Sequence, residues 1–231
     1  MVRHGQASFG EDNYDRLSEL GSLQSKLLAE YFFKAELKFD VVYTGNMVRH
    51  LETLQEFKAL YNERSLPFPE VKNLEELNEY DSFSIFQEIA PGIIEKDPSL
   101  ADNEEQMFSD KRSFQNIFEK VMNIWVSDNY SAGDLVRWKD YVASVYRGVE
   151  EIMKFHGRGE RVAVFTSGGP ISVTVRKALN LSDEDTMRVS WQIANSSVTR
   201  FKCTRDQIML SSFNELSHLE LYPEDGLITY R

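Results

Sequence analysis

The sequence is most restrictive in what it lacks. One cysteine, Cys203, among 231 residues permits no intramolecular disulfide, so the fold must rest on its core, and a reducing, cytoplasmic compartment is the expected setting. No apolar run approaches the roughly 20 residues that span a bilayer, and no secretory signal opens the chain, so no membrane partner is expected. Cations are scarce: 26 Lys and Arg stand against 37 Asp and Glu, a formal charge of -11. That balance excludes an ordinary nucleic-acid partner, which needs clustered cations to hold a phosphate backbone. Histidine is rarer still, at four residues. Repeats and low-complexity tracts are absent. The chain starts at Met1-Val2-Arg3-His4 as if inside an element, leaving open an upstream segment.

What is present is a soluble composition, 42% hydrophobic and 27% charged. Leu20, Leu23, Leu27, Leu28 and Tyr31 fall at helical spacing after Ser18, a suitable N-cap. Phe39 to Thr44 reads as a buried strand, and Asn46 to Asn62 as a helix. Asp134 to Phe155 predicts a long helix, Arg161 to Thr166 a strand, and Pro170 to Asn180 the next helix. Ser196 to Cys203 and Gln207 to Phe213 read as a hairpin. The alternation predicts an α/β three-layer sandwich: a mostly parallel sheet with an antiparallel edge strand, and helices on both faces. Residues 84–133 break the rhythm at Pro91-Gly92 and Asp97-Pro98, so we expect one domain over 1–231 with an inserted helical, acidic lobe there. From Glu75 to Asp110 eleven carboxylates face one cation, Lys96. Most such carboxylates are a solvated face; the lobe could also cover a site, select a substrate or form a homodimer contact.

In open α/β sheets ligands bind beyond the carboxyl ends of strands. Three turns there carry chemistry: Arg3-His4-Gly5-Gln6, Thr44-Gly45-Asn46-Met47-Val48-Arg49, and Thr166-Ser167-Gly168-Gly169. Guanidinium groups, glycine amides and helix N-termini together suit a phosphate dianion, and a neutral imidazole in their midst could attack phosphorus. Singly, His4 could be a satisfied buried histidine and Arg49 a surface residue. Ser167 could be a nucleophile, an anion donor or a helix cap. A hydrolase triad of Ser167, Asp206 and His218 is formally available, but Phe165 stands two before the serine, where a nucleophile elbow needs a small residue.

Four ordered motifs carry a resemblance. "VRHGQASFGEDNYDRLSELG" resembles the opening of the histidine phosphatase, or phosphoglycerate mutase-like, superfamily, whose Arg-His-Gly turn bears the nucleophile. "YTGNMVRHLETL" is similar to its second-strand turn, with Arg49, Glu52 and Thr53 in the phosphoryl-binding places. "LEELNEYDS" resembles the stretch whose glutamate donates a proton, which implies Glu79. "VAVFTSGGPI", with "ANSSVTRF" and "SSFNELSHL", resembles the closing strands.

The resemblance implies a phosphomonoester phosphatase with no metal or cofactor, acting on a small phosphorylated substrate: His4 as nucleophile, Glu79 as proton donor, and Arg3, Arg49, Ser167, Gly168, Gln6 and Ser8 around the phosphate. Acidic neighbours Glu75, Glu76 and Asp81, and burial, are expected to keep Glu79 protonated. Phosphoglycerate mutase-type transfer and a catalytically weak phosphate-binding protein are the alternatives; the acidic lobe would repel a doubly phosphorylated intermediate. Two departures stand out. Ser167 occupies the place of the family's second histidine, and Gly10 that of an asparagine, a gap for Gln6 or Ser8. Of the other histidines, His50 is expected to point away from the site, His156 to lie at the far end of its helix, and His218 to be structural, though the least unlikely stand-in.

Overall fold

The computed structural model describes residues 1–8, 15–96, 111–130, 133, 135–222 and 226–230. Gly10 and the acidic residues Asp97, Asp102, Glu104, Glu105 and Asp110 lie outside them. Six strands form one sheet: β1 (Val2–Arg3), β2 (Val41–Thr44), β3 (Glu70–Asn73), β4 (Val162–Thr166), β5 (Val198–Cys203) and β6 (Ile208–Glu215), in the order β3-β2-β4-β1-β5-β6. The β3/β2, β2/β4 and β4/β1 pairs are parallel, while β5 runs antiparallel to both β1 and β6. The fold is therefore the expected α/β one, its antiparallel part being the late hairpin. β3 escapes the sequence reading because its Glu-Val-Lys-Asn is a short edge strand whose outer residues are exposed.

Alternation along the strands builds the two faces. Val42, Ala163 and Phe165 point toward α1 (Glu19–Lys34) and α2 (Val48–Glu63), where Leu28, Phe32, Leu54 and Phe57 close one core. Val41, Tyr43 and Val164 face the opposite side. There α3 (Ser82–Lys96), α4 (Lys111–Val126), α5 (Trp138–Phe155), α6 (Gly168–Leu179) and α7 (Asp183–Gln192) share a larger cluster. Ile85, Ile89, Ile117, Val121 and Trp125 pack in it with Tyr141, Val145, Val173 and Met187, so the lobe's helices adjoin the core rather than standing apart. Helix α8 (Ser217–Glu220) carries His218.

Several boundaries differ from the sequence reading. Pro91 lies inside α3 rather than ending it. A proline there removes one internal hydrogen bond, and the apolar face formed by Ile85, Ile89 and Ile93 outweighs that loss. Helix α5 begins at Trp138, four residues later than Asp134. The polar helix α7 was not foreseen, although Ser182 caps it by accepting from Asp185 N. Ser18 does cap α1, accepting from Gly21 N at 3.0 Å.

The turn after β1 is pressed against α1. A Cβ on Gly21 would lie 2.0 Å from Gln6 O, and one on Gly5 would lie 2.2 Å from Gly21 O, in both cases backbone that has little room to yield. Gly21→Ala is therefore expected to destabilise the protein by about 2–3 kcal/mol in urea unfolding, because the helix must retreat from the turn. A variant as stable as the wild type would show that this approach is not a constraint.

Candidate active site

The parallel pairing of β1 with β4 brings two of the three turns together, and His4 N donates to Thr166 O at 2.9 Å. The His4 ring is buried. Its Nδ1 donates to Gly5 O at 2.6 Å, while Nε2 accepts from Arg49 Nε at 3.2 Å. These two bonds define a neutral imidazole with its lone pair on Nε2. Burial first, then the charges of Arg49 and Arg3, hold the His4 pKa well below the ordinary histidine value.

Arg49 is supplied by the first turn of α2, and its Nη1 bonds Asp15 Oδ1 at 2.6 Å. The other oxygen of Asp15 accepts from Val48 N at the start of that helix. Thr53 Oγ1 accepts from Gly5 N at 3.0 Å and donates to Arg49 O at 2.8 Å, tying helix to turn. Glu52 holds the segment before α1, accepting from Leu17 N and Arg16 Nε.

Glu79 enters from the segment after β3 and a 3-10 turn, Glu75–Leu77. Its Oε2 accepts from Gly169 N at 3.0 Å, and Tyr141 Oη lies 3.3 Å from Oε1 and 3.2 Å from Asn78 O. A Cβ at 169 would lie 2.0 Å from Glu79 Oε1 and 2.5 Å from Tyr141 Oη, so any larger residue there would have to displace the carboxyl. The Glu79 pKa is raised, and burial is the cause. The surrounding Gly169 and Tyr80 amides and the Arg49 and Arg3 charges act against it. The acidic neighbours expected to do this do not figure; Asp81 instead accepts from the N–H and hydroxyl of Ser84 at the start of α3.

Arg3 Nη1 donates to the carbonyls of Ile193 and, at 2.9 Å, Tyr230. Its charge acts on both His4 and Glu79. Gly168 opens α6 beside it: a Cβ there would lie 3.9 Å from Arg3 Nε. Gln6 is turned toward α1, with Oε1 accepting from Ser18 Oγ and its backbone N–H donating to Gln24. Ser8 is buried beside the isolated Ala7/Leu17 bridge, its N–H donating to Arg16 O.

The expectation that His50 points elsewhere is wrong. Its Nε2 lies 2.6 Å from Ser167 Oγ, both groups are buried, and its ring centroid is 5.7 Å from that of His4. At the first turn of a helix whose end faces the site, consecutive residues can straddle the same cavity; helical-face reasoning holds only further along. His218 bonds Ser196 Oγ at 2.8 Å, and His156 bonds Tyr43 Oη at 2.9 Å. With Asp206 on the exposed β5–β6 turn, no Ser167-Asp206-His218 triad forms.

Beside Glu79 opens a cavity of about 620 Å³, with Glu75, Glu76, Asp81 and Glu88 on its rim and Trp125 and Tyr141 among its walls. No described cation lines it. Among the described residues no cluster of His, Cys, Asp and Glu is arranged for a metal ion, and no helix is long and apolar enough to cross a membrane.

Comparison with known proteins shows the family and the fold. The model of the histidine phosphatase superfamily (branch 1) matches residues 1–216. Among solved structures, YhfR of Bacillus stearothermophilus is 17% identical with a TM-score of 0.65, covering 94% of this chain and 96% of its own. A mutant phosphoserine phosphatase from Entamoeba histolytica, solved with phosphoserine, is 14% identical with a TM-score of 0.63 over 94% and 96%. A mycobacterial glucosyl-3-phosphoglycerate phosphatase is 18% identical with a TM-score of 0.58 over 93% and 96%. At these identities the likeness is one of fold. No curated protein matches.

Buried neutral histidines make stability depend on acid. Burial lowers the His218 pKa from 6.5 to about 4. Its contribution is present above pH 6.5 and lost as pH falls toward 4, because the unfolded chain takes up the proton first. Between pH 6.5 and 5 that amounts to about 2 kcal/mol. His218→Gln should flatten the wild-type decline in urea stability over this range by about that much; an unchanged slope would refute the assignment.

Proposed function

Because the chain belongs to the histidine phosphatase superfamily, we propose that it is a phosphomonoester phosphatase working through a phosphohistidine on His4. The observation that carries this reading is the buried, neutral His4, with Nδ1–H held by Gly5 O and Nε2 aimed at Arg49. The tautomer is the one a nucleophilic Nε2 requires.

In the first step Nε2 forms a bond to phosphorus as the bond to the ester oxygen breaks, and Glu79, protonated, delivers its proton to that oxygen. Arg49, still held by Asp15, then donates its Nε–H to a phosphoryl oxygen, a better acceptor than a neutral imidazole; Arg3 adds a second charge. In the second step water attacks phosphorus, Glu79 takes its proton, and the bond to His4 breaks. Inorganic phosphate leaves with both groups restored.

Phosphatase is favoured over mutase by the cavity beside Glu79. A mutase must keep a second phosphate near the reacting one, and the carboxylates on this rim repel it. Small phosphorylated alcohols are the substrate class, and the cytoplasm, where the exposed Cys203 stays reduced, is the compartment.

With p-nitrophenyl phosphate, His4→Ala should lower kcat/KM by on the order of 1000-fold or more and abolish the acid-labile phosphoenzyme trapped by rapid quench. Glu79→Gln should slow alkyl phosphates by on the order of 100-fold or more, but p-nitrophenyl phosphate less, because nitrophenolate leaves without a proton. Activity should fall at high pH as Glu79 deprotonates and at low pH as His4 protonates. A His4→Ala protein as active as the wild type sinks the phosphatase reading. A wild type that binds phosphate without turnover would favour the phosphate-binding alternative.

A further inference from the structure

We propose that His50 is a positioning residue for phosphoryl transfer: its Nε2–H holds Ser167 Oγ so that the serine's own proton is directed at a phosphoryl oxygen beside His4. This rests on the phosphatase reading and deepens it.

The first support is that the Ser167 hydroxyl is not engaged by its own helix. Ser167 stands at the N-cap of α6, yet its side chain makes no capping bond. Its backbone adjoins Thr166, whose carbonyl takes the His4 N–H. A buried hydroxyl next to the nucleophile, with His50 Nε2 at 2.6 Å, has its orientation set by that contact.

The second support is the other ring nitrogen. His50 Nδ1 is buried and has no hydrogen-bond partner among the described residues. A neutral imidazole carries one proton. With a phosphate bound, a serine donating to Nε2 would strand the ring proton on Nδ1 and deny the phosphoryl oxygen the serine's proton, two unmade hydrogen bonds at once. If instead Nε2–H donates, the serine proton reaches the phosphoryl oxygen and only the Nδ1 lone pair stays unpaired. Burial and the neighbouring Arg49 charge oppose a second ring proton. The directional chain is then His50 Nε2–H to Ser167 Oγ, and Ser167 Oγ–H to the phosphoryl oxygen. It supplies an oriented donor without a third cation beside Arg3 and Arg49.

The missing partner at Nδ1 also separates this pair from a serine nucleophile. A hydrolytic serine needs its histidine to accept the hydroxyl proton and a third group to orient the ring, and among the described residues no third group bonds Nδ1.

Three measurements test the proposal. Nitrogen-15 NMR of the wild type should show His50 protonated on Nε2; protonation on Nδ1 alone overturns it. Orthovanadate, which binds as a pentacoordinate phosphoryl mimic, should bind about 10–100-fold more weakly to Ser167→Ala, and His50→Ala should show most of that loss. The double variant should be no worse than Ser167→Ala, since His50 acts through the serine. His50→Gln, whose amide can donate to Ser167 without titrating, should bind within about fivefold of the wild type and covers the case that His50→Ala does not fold. The rapid-quench phosphorylation rate should follow vanadate affinity, with KM changing much less.

Wild-type vanadate affinity in His50→Ala, or losses that multiply in the double variant, overturns the role of His50 while leaving the phosphatase intact. Vanadate binding lost in the variants of a protein that never turns over would sink the phosphatase reading and leave the donor chain standing. A wild type that binds no vanadate overturns both.

Discussion

The bond from His4 N to Thr166 O is the contact on which the site depends. It closes the parallel pairing of β1 with β4, Val2 opposite Phe165 and Arg3 opposite Thr166, so that both strands end at the same level. One chain leaves as the Arg-His-Gly turn and the other as the Ser-Gly-Gly helix start. Everything else is brought to that pair. Helix α2 delivers Arg49 to His4 and His50 to Ser167, and Gly169 receives Glu79 from the far side of β2. A shift of one residue in this register would reverse which side chains face the core, Val2 and Phe165 included, so the core and the site are specified together.

The electrostatic state of the site follows from how Arg49 is held. One edge of its guanidinium is paired with Asp15, a carboxylate that also accepts from the first amide of α2. That pairing fixes the guanidinium plane and leaves Nε–H against a neutral nitrogen, a weak bond for a cation. In the proposed reaction an arriving dianion would therefore displace a poor acceptor, not a carboxylate, and the arginine would not have to leave Asp15 to bind it. The ion pair is side-chain exposed by 7% on the arginine and 33% on the aspartate, so it is neither fully screened nor fully desolvated.

Much of this was legible in the chain, because strong signals coincide with simple causes. The strand-turn-helix alternation gave the α/β class, Ser18 announced a cap, and the Arg-His-Gly, Arg49 and Ser-Gly-Gly turns all fall at strand ends. The failures have physical reasons. β3 is an edge strand of mixed character, and α7 is a mostly polar helix recognisable only by its cap. Pro91 reads as a breaker until the apolar face around it is known. His50 was misplaced because residues adjacent in sequence are taken to lie 100° apart on a helix, which says little at its first turn. The reason for the raised pKa of Glu79 was misjudged because net charge along a chain does not report distance or burial.

The proposed mechanism needs opposite perturbations at His4 and Glu79, and one cause supplies both. Desolvation penalises whichever form is charged, so it lowers the pKa of an imidazole and raises that of a carboxyl. Applied to His4 it favours the neutral imidazole, and applied to Glu79 it favours the protonated carboxyl. The arginines reinforce the first effect and oppose the second. A site that gained a third cation, such as a protonated histidine at 167, would keep His4 neutral more firmly but pull Glu79 toward its carboxylate. A neutral donor at that position avoids this conflict. On this view the serine with a neutral histidine behind it is not simply a weakened version of a charged group: it gives up some attraction for the phosphoryl oxygens and leaves the acid better able to hold its proton.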